Sequence, residues 1–123
     1  PNTQRIENRL AGADANPYLA LSATLGAGLL GIKERIKPTK PTEGEAYSVK
    51  TEKRHKVPST LFEAAKLFKD SDAARILWGD KFVDHFSSTR FWEYEEYSKQ
   101  IPVFEKKSSK ISHWELDRYF EII

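Results

Sequence analysis

The sequence contains no cysteine and no methionine, and it has only three histidines among 123 residues. The absence of cysteine excludes disulfide bonds, thiolate catalysis and cysteine-based zinc sites. No run approaches the roughly 18 apolar residues that a membrane-spanning helix needs, and no signal-peptide pattern opens the chain. Basic and acidic residues nearly balance, at 20 and 18. We therefore expect a cytoplasmic protein with no membrane partner and no nucleic-acid partner, since the latter normally requires a clustered basic face.

The length is that of a single domain, residues 1–123. Charged residues make up 31% and hydrophobic residues 39%, a composition typical of a folded globular chain. Because translation starts with methionine, we expect either that the N-terminus was processed or that this domain is part of a longer one.

The apolar pattern predicts an α+β fold that is mainly α-helical with one N-terminal strand. Polar and apolar residues alternate over residues 3–10, with the period of two that is typical of a half-buried strand. Residues 17–30 follow as a helix that is apolar on nearly all sides, and such a helix is normally buried on nearly all sides. A chain of 123 residues can hardly cover it alone. Asp14 or Asn16 is expected to cap its start and Gly31 to end it.

Four further helices are predicted after an irregular surface segment rich in proline, glycine and lysine, residues 37–58. Thr60 and Ser112 each stand three residues before a glutamate, which is the pattern of a capping box. Ser71 is the expected cap of a short helix that ends at Gly79. The helix after it has these residues available for its inner side: Phe82, Val83, Phe86, Tyr94 and Tyr97.

The stretch RIENR near the start alternates positive, negative and positive side chains. In an extended strand, residues two apart lie about 6.5–7 Å apart on one face, so Arg5, Glu7 and Arg9 share a face. One interpretation is an exposed strand face with ion pairs worth about 0–1 kcal/mol each. The other is an anion- and metal-binding face, because Mg²⁺ accepts carboxylate ligands and guanidinium groups bind carboxylate or phosphate bidentately. The pattern alone favours the first.

Six motifs occur in the order seen in the glutamine synthetase family, namely RIENR, GADANPYLALSATLGAGLLGI, GEAY, VPSTLFEAAKLF, WGDKFVDHF and WELDRYF. The chain resembles the C-terminal part of that family's catalytic domain, and its tail resembles the branch that includes γ-glutamyl-amine ligases. The resemblance implies an N-terminal β-grasp domain, a larger catalytic domain and rings of subunits, hence a homo-oligomer for the full-length protein.

The resemblance also implies roles for the charged face. Arg5 is implied to contact the phosphates of ATP, Glu7 to ligate the Mg²⁺ or Mn²⁺ that bridges them, and Arg9 to hold the α-carboxylate of L-glutamate. The implied reaction phosphorylates the side-chain carboxylate of glutamate, after which ammonia or an amine displaces the phosphate. The cations would neutralise the anions that both steps bring together.

The resemblance further implies that the other metal ligands, most of the nucleotide pocket and the acceptor-amine site lie outside this chain. We therefore expect the isolated chain to be inactive. The alternative is a non-catalytic helical module for structure or interaction that has kept the motifs.

No catalytic acid or base is assigned within the chain. The three histidines are at least 28 residues apart, so no histidine pair has metal-binding spacing. The glutamates of FWEYEEY lack a histidine or aspartate partner at useful spacing, and the aromatic residues of that stretch are expected to pack in the core.

Overall fold

The computed structural model describes residues 3–12, 14–45, 55–101 and 111–120. Five helices lie in these ranges: α1 (Pro17–Lys33), α2 (Leu61–Lys69), α3 (Asp72–Trp78), α4 (Asp80–Gln100) and α5 (His113–Tyr119). The prediction of a mainly helical chain is confirmed. The described residues contain no strand, so the strand over residues 3–10 is not shown and stays a prediction. A strand exists only when its backbone pairs with a neighbour, and the described residues offer it none.

The chain divides into two compact units, residues 1–39 and residues 40–123. In the first unit, Asn16 caps α1, with its side-chain oxygen accepting from the backbone N–H groups of Tyr18 at 3.0 Å and Leu19 at 3.2 Å. Pro17 occupies the first helical position, where its missing N–H group costs nothing. Of the two predicted caps, Asn16 is therefore the one used.

The prediction that Gly31 ends α1 is wrong. The helix continues to Lys33, and Arg35 adopts the left-handed conformation with φ of 52°. The N–H of Ile36 then donates to the carbonyl of Gly31 at 2.9 Å, and that of Arg35 donates to the carbonyl of Ile32 at 3.1 Å. This is a Schellman ending without glycine at its left-handed position, which is why the glycine pattern misplaced the end.

The sides of α1 are largely uncovered by the described residues. No residue of the helix is buried, and Leu21, Leu25 and Leu29 are 62%, 67% and 67% exposed. The exposed leucines agree with the expectation that 123 residues can hardly cover such a helix alone.

In the second unit, α4 packs against α2 and α3. Val83 and Ser87 on α4 are fully buried, and Ser87 donates its hydroxyl hydrogen to the carbonyl of Val83 at 2.6 Å. Ala65 of α2 and Ala74 of α3 complete the contact with small side chains. Around it, ring contacts of 5.2–6.2 Å join a set of aromatic residues: Phe62, Phe68, Trp78, Phe82, Phe86, Phe91 and Tyr94. The predicted inner side of α4 and the core packing of its aromatic residues are thus confirmed, except for Trp92, which is 51% exposed.

A single glycine joins α3 to α4. Gly79 ends α3 and caps α4 with φ of 77° and ψ of 159°, a conformation that is essentially confined to glycine. Arg75 spans the junction, donating to Asp80 at 2.7 Å, to Asp84 at 2.9 Å and to the carbonyl of Lys69 at 2.9 Å. The end of α2, the body of α3 and the first turns of α4 are therefore held by one guanidinium group.

The predicted caps of the shorter helices are present. Ser112 and Glu115 form the complete capping box at the start of α5. Thr60 accepts from the N–H of Glu63, whose carboxylate in turn accepts from Ser59 at 3.0 Å. None of the described helices combines the length and apolar character needed to cross a bilayer.

Candidate functional site

The stretch RIENR lies beside α1 and is attached to it through Asn8. The side-chain amide of Asn8 donates to the hydroxyl of Thr24 at 2.9 Å, and Thr24 donates to the carbonyl of Ala20 one turn earlier at 2.8 Å. The Asn8 side-chain oxygen accepts from the N–H of Leu10 at 3.0 Å. The bond between Asn8 and Thr24 joins the segment to the helix.

The even-numbered residues of the stretch, Ile6 and Asn8, lie next to the helix, although Ile6 is still 87% exposed. Ile6 and Asn8 line a cavity of about 390 Å³ together with Leu21, Thr24 and Leu25 of α1. The charged residues are not among those that line it. The lining of this cavity agrees with the alternation of sides inferred from the sequence, although the described residues form no strand.

The charged residues Arg5, Glu7 and Arg9 are all exposed. The Nε of Arg9 donates to the carboxylate of Glu7 at 2.5 Å, with side chains that are 82% and 58% exposed. An exposed pair of this kind contributes about 0–1 kcal/mol to stability, so its presence is not explained by a need to hold the fold together. The structure brings Glu7 and Arg9 together and leaves both open to a ligand.

Glu7 is the residue here that offers a suitable metal ligand. Its carboxylate is the type of hard oxygen donor that Mg²⁺ and Mn²⁺ take. Within the part of the chain that the structure describes, no three acidic or histidine residues lie together as a metal site. The donor chemistry thus fits one coordination position of a divalent ion, with phosphate, water or other residues needed for the remainder. His55, His85 and His113 are exposed and belong to no such group.

A polar network centred on Glu93 of α4 was not predicted from the sequence. Glu93 is 8% exposed, and its carboxylate accepts from Arg118 of α5 at 2.5 Å through Nε and at 2.9 Å through Nη2. The hydroxyl of Tyr119 donates to the same carboxylate. The Arg118 guanidinium also lies over the ring of Trp92 at 5.3 Å and over that of Trp114 at 5.6 Å.

These contacts shift the pKa values of the network. The hydrogen bonds from Arg118 lower the pKa of Glu93 despite its burial, which opposes ionisation. Burial, with the hydrogen bond to Glu93, raises the pKa of Tyr119 to about 12. The pKa of Arg118 is raised by its hydrogen bonds to Glu93. Glu93 and Arg118 are therefore both charged across the ordinary pH range, and Tyr119 stays a neutral donor.

Local spacing could not have found this network, because its members are 25 and 26 residues apart. One signal was available in the helical pattern. In FWEYEEY, Glu93 falls on the same side of the helix as the inner residues Tyr94 and Tyr97, whereas Glu95 faces outward. A carboxylate placed inward needs a cationic partner, and the arginine of the final helix was the candidate.

A family model described as glutamine synthetase, catalytic domain, matches residues 1–119 of the chain. Glutamate–isopropylamine ligase of Pseudomonas sp is 39% identical over 119 residues, which cover 97% of this chain and 24% of that protein. Type-1 glutamine synthetase 2 of Dictyostelium discoideum is 36% identical, with 97% and 21% covered. Gamma-glutamylethanolamide synthetase GlnA4 of Streptomyces coelicolor is 38% identical, with 95% and 22% covered.

The chain thus spans between 21% and 24% of the length of these curated relatives. No solved structure matches it significantly.

Proposed function

The chain belongs to the glutamine synthetase family, and from that premise we propose that the protein containing it joins L-glutamate to ammonia or an amine at the expense of ATP. The γ-phosphoryl group of ATP passes to the side-chain carboxylate of glutamate, which gives γ-glutamyl phosphate and ADP. The amine nitrogen then attacks the activated carbonyl carbon, phosphate leaves with the C–O bond electrons, and the nitrogen loses a proton. The product is glutamine or a γ-glutamyl amide.

We assign three binding roles to the charged stretch. Arg5 binds the phosphates of ATP, Glu7 supplies one ligand to Mg²⁺ or Mn²⁺, and Arg9 binds the α-carboxylate of glutamate. The metal ion would neutralise phosphate charge when bound. A planar guanidinium suits Arg9 to a carboxylate, because its paired N–H groups match the two oxygens.

The observation that carries this proposal is the sidedness of residues 5–9. Ile6 and Asn8 line a cavity with α1, to which Asn8 is hydrogen-bonded, whereas Glu7 and Arg9 do not line that cavity and form an exposed ion pair. Metal binding to Glu7 would weaken that pair and free Arg9 for a carboxylate ligand. One segment thereby presents a metal ligand and an anion-binding group on the side away from its supporting helix.

The test uses the natural protein that contains this chain, supplied with L-glutamate, ATP and Mg²⁺. Hydroxylamine, a small nucleophilic amine, should trap γ-glutamyl phosphate as the hydroxamate. Ammonia, isopropylamine and ethanolamine should then be compared as acceptors, because the relatives' names point to different amines. Absence of ATP-dependent product with every acceptor would contradict the ligase proposal and favour a non-catalytic module.

Substitutions separate the three roles. Arg9→Lys should raise the KM for glutamate by about 10-fold or more, the cost of about 1.4 kcal/mol for one charge-assisted bond. Glu7→Gln should raise the metal concentration needed for half-maximal activity, and Arg5→Lys should raise the KM for ATP. Glu43→Gln and Arg35→Lys, at exposed positions outside the charged stretch, are matched controls that should leave all three constants unchanged. Equal effects in the controls would remove the support for these roles.

We further propose that the isolated 123-residue chain does not catalyse ligation, since Glu7 alone cannot complete a metal site. ATP-dependent γ-glutamyl transfer by the purified chain would contradict this. The family also leads us to propose a cytoplasmic homo-oligomer for the whole protein, and light scattering of the natural product would measure its oligomeric state.

A further inference from the structure

The second unit contains a cavity of about 350 Å³ between the start of α2, the middle of α4 and α5. Its volume lies in the range of about 300–1,000 Å³ that small-molecule sites occupy. Four aromatic side chains line it: Tyr94, Tyr97, Trp114 and Tyr119. The cavity lies wholly in residues 40–123, whereas Arg5, Glu7 and Arg9 belong to the first unit, so it is not explained by the roles proposed above.

Two carboxylates also line the cavity, those of Glu93 and Glu115. The charge of Glu93 is matched by Arg118. Glu115 instead accepts from neutral groups, the N–H and the hydroxyl of Ser112, each at 2.8 Å. The lining therefore carries more negative than positive charge.

Aromatic faces attract cations through their quadrupole, and the attraction is stronger where water is excluded. The same helices already use this effect, since Arg118 lies over the rings of Trp92 and Trp114. An anion would meet the two carboxylates, and a purely apolar ligand would bring no counter-charge to Glu115, whose carboxylate accepts from neutral groups of Ser112. An organic cation can make cation–π contacts with the rings and can also pair with the charge of the carboxylate.

We propose that this cavity binds a small organic ammonium ion. The cationic head would lie against the aromatic side chains with Glu115 as its counter-charge. The inference does not rest on the ligase proposal, because it uses residues of the second unit alone.

The probe is choline, compared with its uncharged isostere 3,3-dimethylbutan-1-ol, each titrated by calorimetry into the natural protein that contains this chain. The two probes have the same shape at the branched end and differ there in charge. Choline should bind between about 2-fold and about 30-fold more tightly, the range that one cation–π contact implies. Equal affinities, or no binding of choline, would overturn the proposal.

Two tryptophan variants locate the site. Trp114→Leu removes a ring that lines the cavity, and Trp92→Leu removes one that does not. They are matched because each also removes one ring contact with Arg118. Choline binding should weaken at least about 3-fold in Trp114→Leu and stay within about 2-fold in Trp92→Leu. Binding that is unchanged in Trp114→Leu, or equally weakened in both variants, would refute this location.

Two gentler variants keep the test decisive if Trp114→Leu loses helicity by circular dichroism. Glu115→Gln retains the side-chain shape and should weaken choline while leaving the neutral alcohol unchanged. Tyr97→Phe retains the aromatic face and should bind choline as the unmodified protein does. Loss of binding in Tyr97→Phe, or an equal loss for both probes in Glu115→Gln, would show recognition by something other than charge on an aromatic surface.

Discussion

Replacing Glu93 by glutamine tests the network that joins α5 to α4. The Glu93 side chain is only 10% exposed, and its carboxylate accepts two bonds from Arg118 and one from Tyr119. Glutamine keeps one acceptor oxygen but places an NH₂ group opposite a donor of Arg118. Breaking a fully buried ion pair costs about 3–5 kcal/mol. The Arg118 side chain is 38% exposed and recovers part of its hydration, so we expect a loss of about 1–3 kcal/mol, typical of a charge-assisted hydrogen bond.

Thermal unfolding followed by circular dichroism measures this loss. For a chain of this size, 1 kcal/mol corresponds to about 4 °C, so the Tm should fall by about 4–12 °C. Hydrogen exchange of amides 113–119 should accelerate more than that of α2, because α5 loses its main polar attachment to α4. The lowered pKa of Glu93 stabilises the fold above its unfolded value of 4.5 and ceases to do so as the pH falls through the folded value. The difference between the two proteins should therefore shrink below pH 4.5.

Glu95→Gln is the matched control. It makes the same chemical change two residues away on the same helix, at an exposed position. It should alter the free energy of unfolding by less than about 0.5 kcal/mol. An equal loss in both variants, or no loss in Glu93→Gln, would refute the role assigned to the network.

The caps, the glycines and the exposed helix lead to further predictions. Because the pKa of Tyr119 is raised to about 12, its stabilisation is complete below pH 10 and is lost as the pH rises towards about 12. Ultraviolet titration of tyrosinate should show a late-ionising group that Tyr119→Phe removes. Gly79→Ala should destabilise the fold by about 1–3 kcal/mol because of its backbone conformation alone. Gly28→Ala within α1 should instead stabilise it by about 0.5–1 kcal/mol. Urea denaturation measures the free energy of unfolding and shows whether each variant lowers or raises it. Asn16→Ala should cost about 0.5–2 kcal/mol in the same assay, as the loss of a helix cap does. The isolated chain should self-associate and bind an apolar dye through α1; a monomer without dye binding in light scattering would contradict this.

The helix starts were predictable because each depends on a few adjacent residues. Asn16, Thr60, Ser71 and Ser112 all accept hydrogen bonds from the first turn of the helix that they precede. The end of α3 was predictable for the same reason, because it depends on Gly79. The end of α1 was not predictable in this way, because Arg35 takes a conformation that its residue type disfavours.

The candidate site was predictable only in part. The pattern of RIENR indicated which residues share a side, and the cavity that Ile6 and Asn8 line with α1 agrees with it, as does the bond from Asn8 to Thr24. The sequence of α4 and α5 could not indicate the pairing of Glu93 with Arg118, because that contact depends on how α5 packs against α4. Local chemistry was accessible from the sequence, whereas contacts between helices distant in the chain required the fold.

The junction at Gly79 restricts how this part of the protein can change in length. Since one residue both ends α3 and starts α4, an insertion there cannot be absorbed by a loop. Each added helical residue would rotate the remainder of α4 by about 100°, which would turn Val83 and Glu93 away from α2 and α5 together. Residues 37–45 form no helix and can take up additional residues with little cost. Natural variation in length should therefore accumulate in that segment and be absent at Gly79.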